Sequence, residues 1–222
     1  MVVVLTAPRP TSRTPSLPLA GAISTGVDTR KNYIINLPMI SFRGKANPYM
    51  LIVGMTGVKM GDRMLQIGCS DAGALAAVAA KVGLSGRAVA VVRDAAAAAR
   101  VQKAARREGV LVEIETSAPP GLPVEDTDFD FVVIDDAHGA FAAEAGDTQA
   151  STVREAVRIL KPGGRVLVIS GQPATGLGAL FGRSSPPAFD AGPPLEAGGC
   201  RFVRLLGERE GLRFVEGTKA RA

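Results

Sequence analysis

His138 is the one histidine of the chain, and it follows Asp135-Asp136-Ala137 at the end of an apolar run. Histidine takes and gives a proton near neutral pH, so His138 is a candidate general base. The plainer reading is a loop side chain facing solvent. A second group of interest is the turn Gly68-Cys69-Ser70-Asp71-Ala72-Gly73. Cys69 stands there at the head of a predicted helix, a position that lowers a thiol pKa; ordinary packing is the alternative. Arg100, Lys103, Arg106 and Arg107 gather positive charge on one predicted helix, either for an anionic partner or as a solvated face.

Composition narrows what these residues can do. The 222 residues are 46% hydrophobic and 21% charged, which suits one globular domain with a tail and not a disordered chain. Cys69 and Cys200 lie far apart, so neither a disulfide scaffold nor a His/Cys zinc site is expected. Lys and Arg exceed Asp and Glu by 26 to 21, a scattered excess, and there are two Tyr and no Trp to stack on bases. No nucleic-acid partner is expected. No apolar run is long enough to span a bilayer, and no secretion signal is evident, so the expected setting is cytoplasmic.

The elements that position the candidates follow from punctuation and periodicity. Residues 1–46, with Pro8, Pro10, Pro15, Pro18 and several Arg, read as an irregular arm that orders against a protein partner; an organelle transit peptide is the other reading. Residues 47–222 read as the domain. A short helix is predicted over 48–58 and strands over 63–67, 86–92, 110–116, 129–134 and 165–170. Helices are expected over 73–82, 95–108 and 151–160, with Asp94 as an N-cap, Gly109 as a terminator and Pro162-Gly163-Gly164 as a breaker. This alternation implies a parallel sheet with helices on both faces. The Gly/Pro-rich excursion 171–199 excludes a helix of normal length, and 200–206 with 212–218 form a closing β-hairpin.

Four stretches carry a family likeness: Met64–Gly73; Leu122-Pro123 through Phe129–Asp135; Glu155–Ile169, with Leu160-Lys161-Pro162-Gly163-Gly164; and Glu210–Gly217. On these the chain resembles the class I S-adenosylmethionine-dependent methyltransferases, in the small-molecule branch related to quinone-biosynthesis enzymes, over roughly residues 48 to 219. The resemblance implies an α/β Rossmann-like fold, with a mostly parallel seven-stranded sheet that ends in an antiparallel hairpin. It also implies S-adenosylmethionine as cofactor, lying across the carboxyl ends of the strands.

The cofactor positions that the resemblance implies fall on Gln66 for the opening acidic residue, on Gly68, Ser70 and Ala72 for the three glycines, on Val92 for the ribose carboxylate and on Ala118 for the adenine carboxylate. Asp135 falls at the end of the fourth strand, and His138 beside the place of a methyl acceptor. Only Gly68 keeps the family residue, and Asp94 would need a register shift to serve for Val92. In the metal-dependent relatives an aspartate such as Asp135 is joined by two more ligands ending the next strand; here Ile169-Ser170-Gly171 stand there, so no metal is expected and Asp136 reads as a loop cap. A hydrogen bond to a charged group contributes about 1.5–3 kcal/mol, so losing the ribose contact alone weakens binding by about ten- to a hundredfold.

Two functions follow from that pattern. One is a pseudoenzyme, a methyltransferase-fold accessory or scaffolding subunit with an eroded cofactor site and a partner held by the arm. The other is an active small-molecule methyltransferase with a divergent site and His138 as optional base. A dinucleotide oxidoreductase is excluded, because its closely spaced glycines and acidic ribose ligand are missing.

Overall fold

The computed structural model describes residues 48–171 and 189–221, so the arm 1–46 and most of the excursion 171–199 lie outside the described residues. Seven strands form one sheet: β1 (Arg63–Ile67), β2 (Arg87–Val92), β3 (Glu113–Thr116), β4 (Phe129–Asp136), β5 (Leu160–Gly171), β6 (Arg201–Arg209) and β7 (Leu212–Thr218). Their order is β3-β2-β1-β4-β5-β7-β6, with β7 antiparallel to β5 and β6 and the other pairs parallel. Strand order reverses between β1 and β4, where the two chain directions leave a crevice above the strand ends.

The helices are α1 (Met50–Thr56), α2 (Ala72–Val82), α3 (Ala95–Glu108), α4 (Gly146–Ile159) and the short α5 (Gly192–Ala197). Strand alternation sends β1 to both layers. Met64 packs with Val78 and Val82 of α2, while Leu65 packs with Val153 of α4 and Leu195 of α5. Val92 turns to the α2 and α3 layer, buried with Leu75 and Val101.

Two boundaries differ from expectation for visible reasons. Helix α4 begins at Gly146 instead of residue 151, because the Gln149 amide donates to the carbonyls of Phe141, Ala142 and Glu144 and ties the first turn to the preceding loop. Lys161-Pro162-Gly163-Gly164 does not separate helix from strand. Leu160 already pairs with Phe129, and the four residues form an irregularity inside β5 before Arg165 pairs with Phe131. Among the described residues no helix is long and apolar enough to cross a membrane.

Candidate functional site

The site forms where β1 and β4 end side by side, with Ile67 opposite Ile134. Gly68 leaves β1 with φ +78°, and a Cβ there would come within 3.1 Å of the Asp135 carbonyl oxygen. Only glycine lets the loop turn this close to β4. Four donors converge there on one carboxylate, two of them from Ser70 of the turn. The Ser70 amide donates to Asp135 Oδ2 at 2.7 Å and the Ser70 hydroxyl to Oδ1 at 2.8 Å. The Gln66 side-chain amide donates to Oδ2 at 3.3 Å, and the Ala137 amide to Oδ1 at 3.1 Å. Asp135 thus fills the acceptor role for the glycine turn from within the chain.

The head of α2 is satisfied in the same way. Asp71 Oδ1 accepts from the amides of Gly73 and Ala74 and from the Tyr49 hydroxyl. Gly73 is where α1 meets α2 most closely, since a Cβ there would overlap the Tyr49 ring and hydroxyl. Burial, followed by the charge of Asp71, raises the Tyr49 pKa.

Two hollows flank Asp135. The smaller, about 40 Å³, is lined by Ile67, Val91, Pro119, Leu122, Ile134 and Phe141 among others. Arg93, the first residue after β2, also lines it and pairs with Glu144. The larger, about 890 Å³, lies on the α1 and α2 side and includes Gln66, Ser70, Asp135 and His138 in its wall.

The expected site residues therefore separate. Gln66, Gly68, Ser70 and Asp135 come together, with Asp135 as the hub. Val92 is buried under α3, and Ala118 sits on an exposed turn leading to Pro119-Pro120. Asp94 caps α3 by accepting from the Ala97 amide at 2.7 Å, so it is already engaged. His138 is exposed on the rim of the larger hollow. Asp136 is 1% exposed and accepts from the amides of Phe141 and Ala142, which is the loop-capping role expected of it. Burial is the main cause that raises its pKa, against the lowering effect of those two amides.

Of the two readings of Cys69, its surroundings match packing and not an acidic thiol. Burial, with Asp135 as the next contributor, pushes the pKa up to about 12. It packs beside Leu75 and Val92. No group of three or more His, Cys, Asp or Glu that could hold a metal occurs among the described residues.

What the sequence reading missed is Arg93 and the four-donor seat of Asp135. Arg93 had a signal, a basic residue directly after the position of an expected carboxylate. The Asp135 seat had none, because it depends on the β1–β4 register.

Residues 65–168 match the methyltransferase domain family. Among curated proteins none is significantly similar in sequence. Solved structures with the same fold include a SAM-dependent methyltransferase from Aquifex aeolicus, at 19% identity and TM-score 0.60, covering 77% of this chain and 89% of that one. A putative O-methyltransferase from Nostoc punctiforme aligns at 18% identity and TM-score 0.59, over 78% of this chain and 56% of that one. The [4+2]-cyclase SpnF aligns at 16% identity and TM-score 0.56, over 78% and 80%. The stretch 65–168 thus carries the likeness to that family, and the chain shares the class I, Rossmann-like methyltransferase fold.

Proposed function

We propose that this methyltransferase domain does not transfer methyl groups from S-adenosylmethionine and serves as a non-catalytic accessory or scaffolding subunit in the cytoplasm. The observation that carries the reading is the Asp135 carboxylate, which takes the Ser70 amide and hydroxyl, the Gln66 amide and the Ala137 amide for itself. The Ser70 amide and hydroxyl, committed to an internal anion, are not offered to a ligand.

The residues around that seat do not fit the cofactor in the family manner. Val92 offers no oxygen to a ribose and faces away under α3, and Asp94 is held by its cap. On the side of β2 and β3 the hollow of about 40 Å³ is far below the roughly 300–1,000 Å³ of small-molecule pockets. The wall that closes it is Pro119, Leu122 and Phe141, and Arg93 is drawn across to Glu144. In this reading the arm 1–46 and the excursion 171–199 supply the contact surfaces for a protein partner.

A titration with S-adenosylmethionine and S-adenosylhomocysteine tests it. Ligand at a hundred times its dissociation constant adds about 2.7 kcal/mol, which for a domain of this size is a rise of about 5–10 °C in Tm. The expected result is no shift at millimolar ligand and no heat by calorimetry. A saturable rise of that size overturns the proposal.

One observation favours a second reading, an active methyltransferase with a divergent site. His138 lines the larger hollow within three residues of Asp135, where an acceptor nucleophile could be deprotonated. The same titration separates the two readings.

A further inference from the structure

We propose that the 890 Å³ cavity binds a small apolar molecule carrying one anionic group, and that it does so without a nucleoside cofactor. The second clause rests on the function proposed above; the first stands on the cavity alone. Its volume is in the range of small-molecule pockets, and its wall is mixed, with an apolar part from Leu51 and Ile52 of α1, Val78 of α2, and Val133, Ile169 and Leu212 of the sheet. Leu51 and Ile52 are only half-buried although α1 has an almost wholly apolar sequence, so among the described residues part of that helix's apolar face is left uncovered.

The ionic groups of the wall give the ligand its polarity. Asp71 and Asp135 already accept three and four hydrogen bonds from the chain, and Asp71 sits on the positive end of α2. Arg100 of α3 lines the same wall and makes no hydrogen bond or ion pair among the described residues. It is the one guanidinium of this wall, a group suited to a carboxylate or sulfonate. Glu210, the remaining carboxylate, belongs to the β6–β7 turn, while α3 packs on β2 and β3. At ~4.8 Å per strand, the four to six strand spacings between them set these two groups roughly 19–29 Å apart. The ligand therefore lies across the ends of β1, β4 and β5 with its anionic group toward α3.

Isothermal calorimetry on the full chain with decanoate, decan-1-ol and decylamine, each below its aggregation concentration, tests this. Decanoate should bind saturably, and at least about tenfold more tightly than decylamine. Arg100→Gln should weaken decanoate by about tenfold and leave decan-1-ol unchanged. Ile52→Trp, checked for folding by its melting curve, should abolish binding of both by filling the wall. Absence of decanoate heat, equal affinity for decylamine, or an unchanged Arg100→Gln overturns the proposal. A decanoate response that requires added S-adenosylmethionine overturns cofactor independence and leaves the cavity assignment standing; heat from S-adenosylmethionine alone overturns the function proposed above.

Discussion

The two hollows beside Asp135 share a wall and differ about twentyfold in size. Toward β2 and β3, large side chains and a Pro-Pro turn have moved in, and Phe141 is 6% exposed with its ring edge against Phe189, centroids 5.9 Å apart. Toward α1 and α2, half-buried residues of the seven-residue α1 face buried residues of α2 and the sheet across an open space. In one sheet the same strand ends can thus be core on one side and open cavity on the other. What decides is whether a following loop supplies apolar bulk.

That contrast can be broken most forcefully at Phe141. Phe141→Ala should cost about 3–5 kcal/mol in urea unfolding, as for a buried aromatic, while Leu51→Ala on the open side should cost about 1 kcal/mol or less. Equal costs would mean the narrow side is not core.

Asp135→Ala should destabilise by about 2–3 kcal/mol, because it strips the shared acceptor from four donors. Formate added at high concentration should recover part of the lost Tm in the variant and none in the parent. A variant indifferent to formate would mean that the loop does not hold an anion seat.

The pH dependence sharpens the narrow side further. Burial raises the Asp136 pKa, so the folded state holds its proton more tightly than the unfolded chain does. The contribution of Asp136 is therefore fully present below the ordinary aspartate pKa and declines as pH rises through the raised one. Asp136→Asn should flatten that decline. Asp128 behaves in the opposite sense at the other end of the strands. Arg63 and Arg87 prevail over burial and lower its pKa, so its contribution is lost as pH falls below the ordinary carboxylate range. Urea midpoints from pH 3 to 7 on parent and variant read both slopes. The smallest effect is expected at Cys69, whose thiol, with a pKa of about 12, should react with an aromatic disulfide only after unfolding.

Local signals carried much of this architecture. The span Phe129–Ile134 is, apart from Asp130, aromatic and β-branched as suits a strand buried on both faces, and Asp94 and Gly109 bound α3 at Ala95–Glu108 as their capping chemistry requires. The site was legible only where one segment holds the answer, as with the Asp136 cap. Asp135 is 65 residues from Ser70, and their meeting depends on Ile67 falling opposite Ile134. Neither segment encodes that register by itself. Helix α4 makes the same point: Gly146 to Ala150 lacks helical periodicity and is held by the Gln149 contacts to the preceding loop.

The internal seat at Asp135 also bears on the life of the chain in a cell. A loop that waits for its ligand leaves part of the fold unfinished until the ligand arrives, and the amount of protein then tracks ligand supply through turnover of the unfinished form. Here the anion is encoded in the polypeptide and arrives at one equivalent with β4. On the function proposed above, the domain completes this loop as it leaves the ribosome, and its abundance should not track cofactor supply.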